Sequence, residues 1–116
     1  MKALLIDPDK QTIQEVDYTE GYAQLYDLIG ARTLQAVRLN RYGDFLFVDE
    51  EGALPHSGKL HLQFRCLGPN AYYPSPLIGR GLVLGTDKEG ETTEPHVTLD
   101  ELKAATTFKK AGQVVP

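Results

Sequence analysis

The sequence predicts an α+β domain, a mainly antiparallel sheet packed by two short helices. Three observations carry this reading. Short apolar runs bounded by turn residues recur along the chain, and only two stretches carry helix signals. The runs follow one another without the strand–helix alternation of a doubly wound nucleotide fold. With 116 residues the chain fits a single small domain, expected over residues 1–108, with a frayed tail over 109–116.

Ala3-Leu4-Leu5-Ile6 is continuously apolar and short, the pattern of a strand covered on both faces. Asp7-Pro8-Asp9-Lys10 supplies turn chemistry, and residues 12–18 read as a second strand with Val16 and Tyr18 on one face. So short a link predicts an antiparallel hairpin. Tyr22, Leu25, Tyr26 and Ile29 then fall at i, i+3, i+4 and i+7, the stripe of an amphipathic helix. Thr19 is its expected N-cap, Glu20 suits the first turn, and Gly30 suits the left-handed position at the C-terminus.

Residues 34–39 and 44–49 predict another hairpin around Asn40-Arg41-Tyr42-Gly43, with Phe45-Leu46-Phe47-Val48 as the most buried stretch of the chain. Glu50-Glu51-Gly52 closes it with a turn. Over residues 53–75 the pattern weakens. Residues 60–64 alternate like a strand, while Pro55, Gly58, Gly68, Pro69, Pro74 and Pro76 break the rest into loop. Leu82-Val83-Leu84 reads as an interior strand. Thr98-Leu99-Asp100-Glu101 is a capping box, with Val97 and Leu102 at the flanking staple positions, so a helix is expected from there to residue 106 or 107.

Composition excludes several function classes. The formal charge is −4, from 16 acidic and 12 basic residues, which gives no electrostatic case for nucleic-acid binding and too few carboxylates for a DNA mimic. Cys66 is the only cysteine, so no intramolecular disulfide can form. The N-terminal apolar run is too short for a signal-peptide core, and no run approaches a membrane span. The expectation is a cytoplasmic protein with no membrane partner.

No catalytic or metal-binding signature stands out, and no cofactor is expected. His56, His61 and His96 lack metal-ligand spacing and read as surface residues. Cys66 reads as a small buried hydrophobe unless a histidine lies beside it in space. Asp7 and Asp9, and Asp44, Asp49, Glu50 and Glu51, could serve acid–base chemistry or a divalent cation, though turn capping explains them more simply. Within residues 79–86, Gly79, Arg80, Gly81 and Thr86 are candidate ligand-binding residues: glycines admit backbone N–H groups close to an anion, and Arg80 adds a bidentate donor. The alternative is a glycine-lined path into a crowded strand. Arg41, Tyr42, Tyr72 and Tyr73 are candidate partner-binding residues, since tyrosine and arginine dominate binding hot spots; the tyrosines could equally lid the edge of the core.

Three segments carry a family resemblance: Ala3-Leu4-Leu5-Ile6-Asp7-Pro8, Leu46-Phe47-Val48-Asp49-Glu50-Glu51-Gly52, and Pro76-Leu77-Ile78-Gly79-Arg80-Gly81-Leu82-Val83-Leu84-Gly85-Thr86-Asp87. The chain resembles the family known as domain of unknown function 3846, small proteins encoded by bacteria, phages and plasmids. That resemblance implies no catalytic residues, and it implies a mobile-element setting in which small proteins often bind a host component. The expected function is therefore a non-enzymatic binding protein, an accessory or counter-defence factor contacting a host or phage protein. The alternative is a binder of an anionic small molecule, a nucleotide or phosphorylated metabolite, through residues 79–86.

Overall fold

A computed structural model describes residues 1–19 and 21–109. Strands β1 (Lys2–Asp7) and β2 (Thr12–Asp17) precede helix α1 (Tyr22–Ile29), which leads to β3 (Leu34–Arg38) and β4 (Phe45–Asp49). A single 3-10 turn at Pro55–Ser57 comes next, followed by β5 (Gln63–Leu67), β6 (Tyr72–Ile78), β7 (Gly81–Thr86) and the short β8 (Thr92–Thr93). Helix α2 (Leu99–Ala105) runs directly into β9 (Thr106–Phe108).

The main sheet has the order β2-β1-β7-β4-β3, with β8 against the end of β7, and a smaller sheet has the order β6-β5-β9. Every pairing is antiparallel. Because β2 and β3 are the two opposite edges of the main sheet, the segment joining them must cross a face, and α1 makes that crossing. Leu25 and Ile29 of α1 pack on Ala3, Leu5, Leu82 and Leu84. The other face is covered by the small sheet and α2, with Phe64, Cys66, Leu77 and Leu102 against Leu4, Ile6, Leu46 and Val83. The expected α+β architecture is present, and a second sheet joins α2 as its cover.

Both expected hairpins form, in the registers Ile6↔Ile13 and Val37↔Leu46. Gly30 ends α1 at φ 73°, and the capping box of α2 is complete, Thr98 Oγ1 accepting from the N–H of Glu101 while Glu101 Oε1 accepts from that of Thr98. Other expectations need correction. The residue before α1 is Gly21, with no side-chain cap, because Thr19 lies two positions too far out; its N–H instead donates to Gln24 Oε1. Glu20 lies outside the described residues. The most buried strands are β1 and β7, not β4, whose burial alternates. Phe47 lines an open groove beside α1 with Leu25 and Leu84, which leaves its ring partly exposed.

Residues 53–75 are less irregular than their prolines suggest. The strand expected at 60–64 lies at Gln63–Leu67, and Pro74 and Pro76 stand inside β6. Proline is tolerated there because β6 is an edge strand and a missing N–H costs no ladder bond on its open side. The second helix ends at Ala105, where Thr106 turns to extended backbone and β-branched Thr106 and Thr107 start a strand against β5. Lys109, expected to fray, donates its N–H to Gln63 O; residues 110–116 lie outside the description. Among the described residues no helix is long and apolar enough to cross a membrane.

Candidate functional site

The turn between β3 and β4 is built by side chains of its own sequence. Asn40 Oδ1 accepts the N–H groups of Tyr42 and Asp44, closing the turn, and Gly43 follows at φ 96°. A Cβ on Gly43 would stand 2.7 Å from Thr86 Oγ1, so only glycine lets the turn seat on the end of β7. Thr86 Oγ1 in turn donates to Gly43 O at 2.9 Å.

Asp44, 0 % exposed, fixes the third segment. Its Oδ1 accepts the N–H of His96 and its Oδ2 accepts from Val97 and from Asn40 Nδ2, each at 2.8 Å. A carboxylate this deeply buried is tolerable because its oxygens are met by donors. The β3–β4 turn, the end of β7 and the approach to α2 are thereby held together.

Between these segments lies an open cleft of about 450 Å³. Arg38, Arg41 and Tyr42 form one side, and Asp87, Lys88 and His96 the other. The Arg41 guanidinium sits 5.2 Å from the centre of the Tyr42 ring and donates to its hydroxyl at 3.2 Å. That hydrogen bond pushes Arg41 above its ordinary pKa, and the guanidinium, like that of any arginine, is charged at every working pH. Tyr42 is 47 % exposed, and on its far side Asn70, Val97 and Glu101 line a second cavity of about 240 Å³.

Tyr72 belongs to the neighbouring hairpin and comes close through its backbone, donating its N–H to Leu39 O. Its side chain is 54 % exposed beside its cross-strand neighbour Leu67, exposed at 46 %. Tyr73 faces the other way and packs against the core. Arg41, Tyr42 and Thr86 therefore share one cleft, Tyr72 lies on the adjoining hairpin, and Tyr73 lies beneath it.

Gly79, Arg80 and Gly81 do not join Thr86, because β7 separates them by about 20 Å of extended chain. Arg80 Nε lies 3.8 Å from Asp7 Oδ2, and its Nη1 is 3.5 Å from Leu28 O. Lys59 Nζ beside it donates to Gly30 O and to Asp49 Oδ2, both at 2.7 Å. Arg80 and Lys59 line a cavity of about 310 Å³, yet both are committed to the carbonyl end of α1, where the helix dipole favours cations and disfavours an anionic ligand. Gly81 is explained by crowding: a Cβ there would stand 2.7 Å from Leu46 Cδ1 and 3.1 Å from Phe64 Cζ.

Asp7, Asp49 and Cys66 are occupied structurally. Asp7 Oδ1 accepts the N–H groups of Asp9 and Lys10, and Asp49 Oδ1 accepts that of Glu51, as turn-capping carboxylates do. Cys66 is buried with its Sγ 3.6 Å from Thr106 Oγ1, and burial pushes its thiol above the usual range. His56, His61 and His96 are exposed. Among the described residues no group of three or more His, Cys, Asp or Glu side chains is placed to hold a metal ion.

Arg38 and Lys88 carry no signal in their sequence context, and His96 reads there only as a surface histidine. They come from three segments remote in the chain, and no local pattern marks them. Neither the curated proteins nor the solved structures include a match to this chain. The family model described as "Domain of unknown function (DUF3846)" matches residues 1–107, nearly the whole chain and all of the cleft, and the chain belongs to that family.

Proposed function

We propose that the chain is a non-enzymatic binding protein of a phage, plasmid or bacterial genome, acting in the cytoplasm as an accessory or counter-defence factor on a host protein. The observation that carries this reading is the pairing of Arg41 with exposed Tyr42 on the rim of an open cleft, with exposed Tyr72 and Leu67 on the adjoining hairpin. Arginine and tyrosine are the side chains that most often anchor protein interfaces, since they bring large area at small conformational cost. Several groups that could support chemistry are engaged elsewhere: Asp7 and Asp49 cap turns, Asp44 holds two backbone N–H groups, and the Cys66 thiol is buried. The rival reading, a phosphorylated metabolite held by residues 79–86, loses support from the commitment of Arg80 to Asp7 and to α1.

Capture from lysate of the cell that carries the gene tests the proposal. A partner retained by the wild-type chain and lost by Arg41→Ala/Tyr42→Ala supports it. A partner retained equally by that variant, or no partner at all, counts against it.

A further inference from the structure

We infer that the cleft between Arg41 and Lys88 receives an acidic segment of a partner protein. This inference rests on the reading of the chain as a protein-binding module and supplies the chemistry of its partner.

The first argument is charge left unspent. Among the described residues the ion pairs engage Lys2, Arg32, His56, Lys59 and Arg80, and none engages Arg38, Arg41 or Lys88. These three cations line one cleft, on a chain whose formal charge is −4. The single carboxylate in the lining, Asp87, already accepts the N–H groups of Glu89 and Glu91 through Oδ1. Unpaired cations gathered on one surface of an acidic protein make a local field that attracts carboxylates and steers their approach.

The second argument separates a peptide from a phosphate. Compact phosphate sites gather free backbone N–H groups into a concave nest. Here the run of N–H groups that would build a nest is interrupted: Tyr42 and Asp44, on either side of Gly43, donate to Asn40 Oδ1, Asp87 donates to Glu91 O, and His96 donates to Asp44 Oδ1. What remains are exposed cationic side chains, Arg38 and Arg41 on the side that carries the Tyr42 ring and Lys88 on the other, with Arg38 Nε donating to Asn40 O and Arg41 to the Tyr42 hydroxyl. Such an arrangement suits carboxylates spaced along an extended segment, whose apolar neighbours can lie on the ring.

The third argument separates a short segment from a nucleic acid. Phosphodiester chains need a continuous basic track. This cleft is bounded by carboxylates: Glu89 and Glu91 follow Lys88, and Glu101 lies beyond Tyr42. A long polyanion leaving the cleft in either direction meets like charge, whereas a short acidic stretch fits between.

Titration of the full chain, followed by backbone amide NMR, tests the inference. The probes are a short Asp/Glu-rich peptide containing one tyrosine, its Asn/Gln counterpart, inorganic phosphate, ATP and oligo-dT. The expected result is saturable shifts at Gly43, Thr86 and Lys88 with the acidic peptide alone. Raising salt to about 1 M, where the screening length falls to about 3 Å, abolishes them. Arg41→Glu/Lys88→Glu weakens the binding at least about tenfold with unchanged thermal stability, as loss of rim charge requires. Equal shifts with the Asn/Gln peptide, tighter binding of phosphate, ATP or oligo-dT, or an unaffected double variant overturns the inference. If the acidic peptide fails while capture of a partner still depends on Arg41 and Tyr42, the binding reading stands and only the acidic chemistry falls.

Discussion

Val97 donates its backbone N–H to Oδ2 of Asp44 at 2.8 Å, across 53 residues of chain. The same carboxylate holds the N–H of His96 and the amide of Asn40. One buried side chain therefore fixes the two walls of the cleft relative to each other.

Replacing Asp44 by asparagine should be costly although the shape is nearly conserved. Asparagine has one acceptor oxygen, so either His96 or Val97 is left facing an amide donor. A buried unsatisfied N–H together with the loss of charge-assisted bonds costs about 2–3 kcal/mol. Thermal unfolding should drop by about 10 °C or more for a chain of this size. A change within error would mean that the carboxylate is not the hub described.

The charge on Glu101 should make stability depend on acid. The N–H of Thr98 is the largest cause of its lowered pKa, with Asn70 Nδ2 and the Thr98 hydroxyl adding to it. A carboxylate lowered in the folded state stabilises above its unfolded pKa, about 4.3, and that stabilisation is lost as pH falls through the folded value. Glu101→Gln keeps an acceptor for the cap but removes the charge. Wild type should be the more stable at neutral pH, the difference should shrink as pH falls below the unfolded pKa, and the two should converge only below the lower, folded value. Parallel curves across the whole range would refute the assignment.

Two glycines should fail for different reasons. Gly81→Ala forces a methyl onto Leu46 and Phe64, both fully buried, and overpacking of this kind costs about 1–3 kcal/mol. Gly90→Ala meets nothing within 4 Å but must hold φ near 81°, at about 1 kcal/mol. Combining each with Leu46→Ala, measured by urea unfolding, distinguishes them. The Gly81 cost should shrink in that background and the Gly90 cost should not.

Cys66 should be inert in the folded protein. Burial raises its pKa and Thr106 only partly opposes the rise, so thiolate is scarce and access requires opening of the fold. Alkylation by iodoacetamide at neutral pH should run at least about a hundredfold slower than in the unfolded chain. A native rate equal to or above the unfolded one would reveal an activated thiol and contradict the non-enzymatic reading.

Features written in consecutive residues were legible in the sequence. The β1–β2 and β3–β4 hairpins, the stripe of α1, Gly30 and the capping box at Thr98 each follow from local spacing or turn chemistry. The small sheet was not legible, because Pro74 and Pro76 mask an edge strand and β9 is three residues long. The start of α1 was misplaced because Thr19 offers a capping side chain where the backbone begins its helix after Gly21. At the site, Arg41, Tyr42 and Thr86 stood out singly, but only the packing of Gly43 on Thr86 brings them together. Asp44 looked like a turn residue; its partners His96 and Val97 lie too far along the chain for any pattern to connect them.

Photo-crosslinking in the host cell tests the binding role most directly. A photoreactive residue in place of Tyr42 should give one predominant adduct, lost when Arg41→Glu is added, while the same probe at exposed Glu15 on the far edge strand gives none. Identical adducts from both positions, or an adduct at 42 indifferent to Arg41, would contradict the account.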